Sequence, residues 1–247
     1  MSETAGSGYL IKPLEAANRR GVLVLHSWWG LTPFFRRLCD RLAEAGYVAL
    51  APDLLNGALP ATPDEAEAAL AALDINRAAA LVLSSARALR SVTDDPSAPI
   101  GVIGFSMGAS WAMWLAARSP QEVSATVAFY GTQNADLAAA ACAFQGHFAE
   151  FDALVSDDEV VELEAHLHLV GRPVEFHRYP GTSHWFFEAD RELAHDPEAA
   201  ALAWQRTEAF LARHLGGSTE PDAGSEPVEQ PDDGAAAPPD GEPGASS

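Results

Sequence analysis

The stretch Ile100-Gly101-Val102-Ile103-Gly104-Phe105-Ser106-Met107-Gly108 decides how the rest of the chain is read. Ile100, Val102 and Ile103 follow Pro99 as a short apolar run, the pattern of a buried strand. Ala109 to Arg118 is rich in Ala, Met and Trp and meets no breaker before Pro120, the pattern of a helix. A serine between two glycines at such a strand-to-helix turn is the G-x-S-x-G nucleophile elbow. The turn leaves no room for side chains at 104 and 108 and forces Ser106 to a strained backbone angle. That geometry lifts the hydroxyl clear of the sheet and brings the Met107 N–H to the same spot. The five letters alone carry little weight in an Ala/Gly/Ser-rich chain; their place between strand and helix gives them meaning.

The flanking sequence repeats the alternation. Val22 to Leu25 is a continuous apolar run suited to a buried parallel strand. Phe34 to Ala45 reads as a helix with Thr32 at its N-cap, Pro33 in its first turn and Gly46 past its end. Tyr47 to Ala51 is the next strand, and Pro63–Leu73 and Asn76–Val92 are Ala/Leu-rich helices. After the elbow, Val123–Tyr130 and Ala139–His147 read as strands and Asp157–Val170 as a helix. Val174–Tyr179 is a strand expected to stop at Pro180-Gly181, and Asp196 caps a last helix that ends at Gly216. Strand and helix alternate from residue 20 to 215, which predicts one open, mostly parallel sheet with helices on both faces. Ligands of such sheets bind at the carboxyl ends of the strands. Ser106 lies just past one.

Composition narrows the function. The chain of 247 residues carries a formal charge of −20, which makes nucleic acid a poor partner and a polyanionic substrate unfavourable. No apolar run approaches the ~20 residues of a membrane span, and the polar start Met1–Gly8 has no signal-like apolar core. Cys39 and Cys142 form no C-x-x-C pair and read as buried thiols of a cytoplasmic, reducing setting. Residues 216–247 hold eight acidic residues and no Lys or Arg among Pro, Gly, Ala and Ser, the composition of a disordered tail. Those eight charges taken from −20 leave −12 on residues 1–215, the expected folded domain.

A serine hydroxyl needs a base, and the base needs an acid to orient it. His166 and His168 lie on a helix, His177 inside a strand, and His195 and His214 near helix ends, while His26 and His147 are expected at strand ends. His184 follows the last strand in the loop begun by Pro180-Gly181-Thr182-Ser183, and the order Ser, acid, His requires a late histidine. Between them, Glu150, Asp152, Asp157 and Asp158 qualify by position. The two at 157–158 suit a helix start, leaving Asp152 first and Glu150 second. The oxyanion donors expected are the N–H groups of Met107 and of Trp28, the latter in the loop His26-Ser27-Trp28-Trp29-Gly30. Trp29, Phe34, Tyr130 and Trp185 are the candidate walls of an apolar pocket.

With these residues in view, the sequence resembles the dienelactone hydrolase family of the α/β-hydrolase superfamily. The resemblance runs over about residues 10–215, through Val22–Gly30, Gly46–Leu54, Gly104–Gly108, Phe129-Tyr130-Gly131, Gly146–Asp152 and Tyr179–His184. It implies the α/β-hydrolase fold without a large lid, places the catalytic acid on Asp152, and implies a small ester or lactone as substrate. Three departures stand out. The family's nucleophilic cysteine is Ser106 here, and the first-loop glutamate that attends that thiol is Ser27. The arginine that follows the family's histidine and binds a substrate carboxylate appears as Glu188, which predicts repulsion of anionic substrates and a preference for neutral ones. No cofactor or metal is expected, and the chain is read as a monomer or weak homo-oligomer. The competing readings are a non-catalytic binding protein of the same fold, a small amidase or peptidase, and a metal hydrolase built on His147, Glu150 and Asp152.

Overall fold

The computed structural model describes residues 8–14, 19–133 and 136–216. Seven strands form one sheet: β1 (Tyr9–Ile11), β2 (Gly21–Leu25), β3 (Val48–Ala51), β4 (Ile100–Phe105), β5 (Val123–Phe129), β6 (Ala143–Phe151) and β7 (Val174–Ser183). They lie in the order β1-β3-β2-β4-β5-β6-β7 and are parallel except for β1, which runs antiparallel to β3 along the edge. The α/β-hydrolase fold expected from the sequence is the fold observed. Six helices connect the strands: α1 (Pro33–Glu44), α2 (Pro63–Ala71), α3 (Ile75–Ser91), α4 (Met107–Arg118), α5 (Asp157–Leu169) and α6 (Pro197–Leu215).

The central strands are apolar at every position because both of their faces are covered. Val22, Val24, Ile103 and Phe105 pack with Phe35, Leu38 and Leu42 of α1 and Trp204, Phe210 and Leu211 of α6. Leu23, Leu25 and Val102 face the other way, against Val82, Ala86 and Leu89 of α3 and Ala109, Ala112 and Met113 of α4. Each such side chain, once buried, contributes on the order of 1.5–3 kcal/mol, so this double layer fixes the register on which the site depends. Cys39 and Cys142 are buried and free, and burial raises their thiols to about 12 and about 11. No single helix among the described residues is long and apolar enough to cross a membrane. The acidic tail read from residue 216 onward lies, beyond Gly216, outside the described residues.

Three elements differ from the sequence reading. β1 was not expected; three residues at an edge are too short to show a period. β6 begins at Ala143 rather than Ala139 and runs on to Phe151, so His147 sits in mid-strand instead of at a strand end. β7 does not stop at Pro180-Gly181 but continues to Ser183. Gly181 takes φ +76°, and the pairing shifts between Ala149 and Phe151 before Phe151 meets Ser183. An irregularity of this kind bends the edge of the sheet and re-aims the residues beyond it. Those residues are Asp152 and His184.

Candidate active site

Ser106 stands at φ 51°, ψ −114° between β4 and α4, a conformation that a non-glycine residue reaches only under tight constraint. The constraint is visible in its neighbours. A Cβ on Gly104 would strike the Gly108 backbone, and one on Gly108 would strike the carbonyls of Leu25 and His26. The Ser106 N–H donates to the Phe129 carbonyl at 2.9 Å, and its own carbonyl accepts from Ala109 at 2.9 Å. The elbow is thus held by the two strands beside it.

His184 Nε2 lies 2.9 Å from Ser106 Oγ, and its Nδ1 lies 2.8 and 2.7 Å from the two Asp152 oxygens. Bonding at Nδ1 fixes the tautomer that leaves Nε2 free to accept the serine proton. Both side chains are nearly buried, at 4% and 5% exposure, which strengthens the pair by excluding water. Asp152 Oδ1 also accepts the N–H groups of Leu154 and Val155, so the carboxylate is itself clamped. Of the alternatives, Glu150 accepts the Gly181 N–H at 2.7 Å and braces the β7 irregularity. Asp157 pairs with Arg178 on the exposed start of α5. The sequence-derived trio of Ser106, Asp152 and His184 is the trio brought together.

Met107 opens α4, where an N–H has no intrahelical acceptor. Trp28 lies in the loop after β2, which turns through Gly30 at φ +84° with the Gly30 N–H on the Ser27 carbonyl at 3.1 Å. His26, which the sequence left among the candidate bases, is a strut of that loop. Its Nε2 accepts the Leu54 N–H at 3.0 Å and its Nδ1 meets the Ser27 carbonyl at 2.7 Å, with burial keeping the ring neutral.

A cavity of about 500 Å³ opens beside His184, lined among others by Trp29, Phe151, Trp185 and Arg191. Trp28, Trp29 and Trp185 pack mutually with ring centroids 5.3–5.6 Å apart, and the Arg191 guanidinium lies 4.5 Å over Trp29. Their three indole N–H groups are buried without an acceptor among the described residues. Two expected wall residues do not line this cavity. Phe34 packs on Phe35, Phe105 and Phe187 under α1, because the apolar face of that helix turns inward. Tyr130 is fully buried, its ring 4.9 Å from His184.

Glu188 requires the largest correction. It does not meet the cavity but is fully buried, with its oxygens 2.9 Å from Ser27 Oγ and 2.9 Å from Tyr130 OH. Burial, more than any neighbour, pushes its carboxyl up to about 8. The expected repulsion of anionic substrates therefore loses its source, and the charged groups at the cavity are Asp190, Arg191 and Glu192. The metal alternative also comes apart, since its residues are committed separately. His147 bonds Tyr179 and Gln145, Glu150 bonds Gly181, and Asp152 bonds His184.

Comparison with known proteins identifies the family. The model of the dienelactone hydrolase family matches residues 7–215. The chain belongs to the dienelactone hydrolase family. It is accordingly a hydrolase of the ester and lactone class. The chain is 33% identical over 217 residues to "Protein usf" of Aquifex pyrophilus, covering 84% of this chain and 93% of that protein. It is 31% identical over 222 residues to a carboxymethylenebutenolidase of Rhodococcus opacus, covering 84% and 86%. Among solved structures it is similar to a putative dienelactone hydrolase from Klebsiella pneumoniae, with TM-score 0.74, 25% identity and coverage of 83% and 92%.

Proposed function

We propose that this dienelactone hydrolase family member is a serine hydrolase that cleaves small carboxylic esters or lactones through an acyl-enzyme. The observation that carries the reading is the unbroken chain from Ser106 Oγ through both nitrogens of His184 to Asp152, every link at 2.7–2.9 Å. His184 Nε2 takes the Ser106 proton as Oγ bonds to the carbonyl carbon. The carbonyl oxygen becomes an oxyanion held by the Met107 and Trp28 N–H groups. Collapse expels the alkoxide, which leaves with the proton from His184; water then repeats the sequence and releases the acid from Ser106. Asp152 stabilises the imidazolium and fixes its tautomer. Trp29 and Trp185 form the apolar wall of the cavity beside His184.

No step in this scheme needs a metal or cofactor. The buried free thiols fit a cytoplasmic setting, and a monomer or weak homo-oligomer suffices because one chain supplies every group named. Rapid mixing with p-nitrophenyl butyrate tests the reading. We expect a burst of nitrophenol stoichiometric with enzyme and an acid-trapped butyryl group on Ser106. A butyryl group on another residue would overturn the assignment.

A further inference from the structure

We propose that Glu188 is a positioning residue that locks the oxyanion loop and the His184 loop into a single frame by sharing its buried carboxyl between Ser27 and Tyr130. The inference rests on the serine-hydrolase reading above. Each arm of the frame ends on a group that this reading uses. Ser27 Oγ donates to Oε2 at 2.9 Å, and Ser27 immediately precedes Trp28, the proposed oxyanion donor. Tyr130 OH donates to Oε1 at 2.9 Å, and the Tyr130 ring packs 4.9 Å from His184. The Glu188 N–H donates to the Trp185 carbonyl and its carbonyl accepts from Arg191, each at 2.9 Å, so the same residue closes the turn that carries His184.

Backbone strain lies along these arms. Tyr130 at φ 37° and Trp185 at φ 67° are two of the four non-glycine residues with positive φ among the described residues, and Ser106 is a third. Conformations of that kind persist only where the surroundings over-determine them, and Glu188 bonds to both of the first two. A carboxyl is a costly choice for a purely structural strut, since a buried charge carries a penalty that an amide or an apolar side chain avoids. No cation pairs with it among the described residues. Arg191, the nearest candidate, lies 3.5 Å from Asp190 and stacks on Trp29.

The charged and titratable groups around Glu188 are Asp190 and Arg191 on its own segment, Tyr130 after β5, Asp152 after β6, and His184. Asp190 opposes its ionisation and Arg191 favours it, while burial outweighs both and keeps the carboxyl protonated up to about pH 8. Ionisation places a negative charge on a group bonded to the loop that must receive the oxyanion. Turnover should therefore fall as pH rises through that range.

The full chain and its E188Q, E188A and Y130F variants are compared with p-nitrophenyl butyrate from pH 6 to 10, with folding checked by circular dichroism. We expect an alkaline loss of kcat/KM centred near pH 8 in the wild type and absent in E188Q, whose amide has nothing to ionise. E188A and Y130F should lose about 10–100-fold in kcat with KM within about twofold, because they misplace catalytic groups without touching the cavity wall. If E188A fails to fold, Y130F, which deletes a single oxygen, carries the kcat-against-KM test alone. Superimposable pH profiles for wild type and E188Q, or a Y130F effect confined to KM, would overturn the inference while leaving the hydrolase reading intact. A wild type that neither turns over ester nor takes a fluorophosphonate label on Ser106 would overturn both.

Discussion

Two buried histidines of this fold each bond through both ring nitrogens and have opposite prospects. His147, in the middle of β6, meets Tyr179 OH at 2.7 Å through Nδ1, and Gln145 at 3.0 Å and Thr207 at 3.1 Å through Nε2. His184, just past the end of β7, meets Asp152 through Nδ1 and Ser106 through Nε2 at similar distances. The first is fully buried and its hydrogen-bond partners are neutral, so burial, helped by nearby His177 and Arg206, holds it well below the usual imidazole range and it stays uncharged. The second has a carboxylate behind it and a cavity in front of it. Hydrogen-bond count alone therefore does not suit a histidine to proton transfer. What matters is a place at the carboxyl edge of the sheet and an ionised partner that stabilises the positive charge when it forms.

The comparison can be broken most severely at Ser106. Ser106→Ala should lower kcat on p-nitrophenyl acetate by about 10⁴–10⁶ with the melting temperature little changed, since a hydroxyl contributes chemistry rather than packing there. Removing the ionised partner comes next. Asp152→Asn keeps the shape of the acid but allows the wrong tautomer, and steady-state assays should show a loss of about 10⁴ in kcat. At the other histidine the pattern should invert. His147→Phe strands the Tyr179 hydroxyl, the Gln145 amide and Thr207, and denaturant unfolding should register a loss of about 2–4 kcal/mol. Its kcat/KM should stay within a few-fold of wild type.

A separate effect is the one of pH on stability through Glu188. Its folded carboxyl is raised from 4.5 to about 8, so between those values the folded state holds a proton that the unfolded state has released. Stability attributable to this group is therefore full below about pH 4.5 and declines as pH rises towards 8, by roughly 3–5 kcal/mol in the limit. Glu188→Gln removes that slope. Its melting temperature should exceed that of the wild type by more at pH 9 than at pH 6, and equal differences at the two values would show that the carboxyl does not titrate in this range.

How much of this was legible in the sequence follows from how local each signal is. The elbow was readable because its pattern lies within five residues, although only Gly104 is kept small by the elbow's own backbone and Gly108 by the Leu25 and His26 carbonyls of the neighbouring strand. His184 and Asp152 were readable by their order along the chain and by resemblance, and the fold brings them together as expected. The strand β7 was not, because Pro180-Gly181 normally ends a strand and nothing local reveals that Glu150 will brace the irregularity from the neighbouring one. Glu188 was misread for a related reason. Its partners Ser27 and Tyr130 lie 161 and 58 residues away, and only the folded chain shows that a residue four past the histidine points under the site instead of into it. Tyr130 and Phe34 were taken for pocket walls because aromatic side chains near catalytic loops serve core and cavity equally well in a linear reading.

The proposed mechanism requires Ser106 to be an activated nucleophile, and covalent labelling reads that directly. The full chain is treated with a fluorophosphonate and examined by intact mass and peptide mapping. The expected result is one adduct per chain, on the peptide that contains Ser106, absent in Ser106→Ala and formed much more slowly in Asp152→Asn. An unlabelled wild type, or a label that persists undiminished in Ser106→Ala, would contradict it.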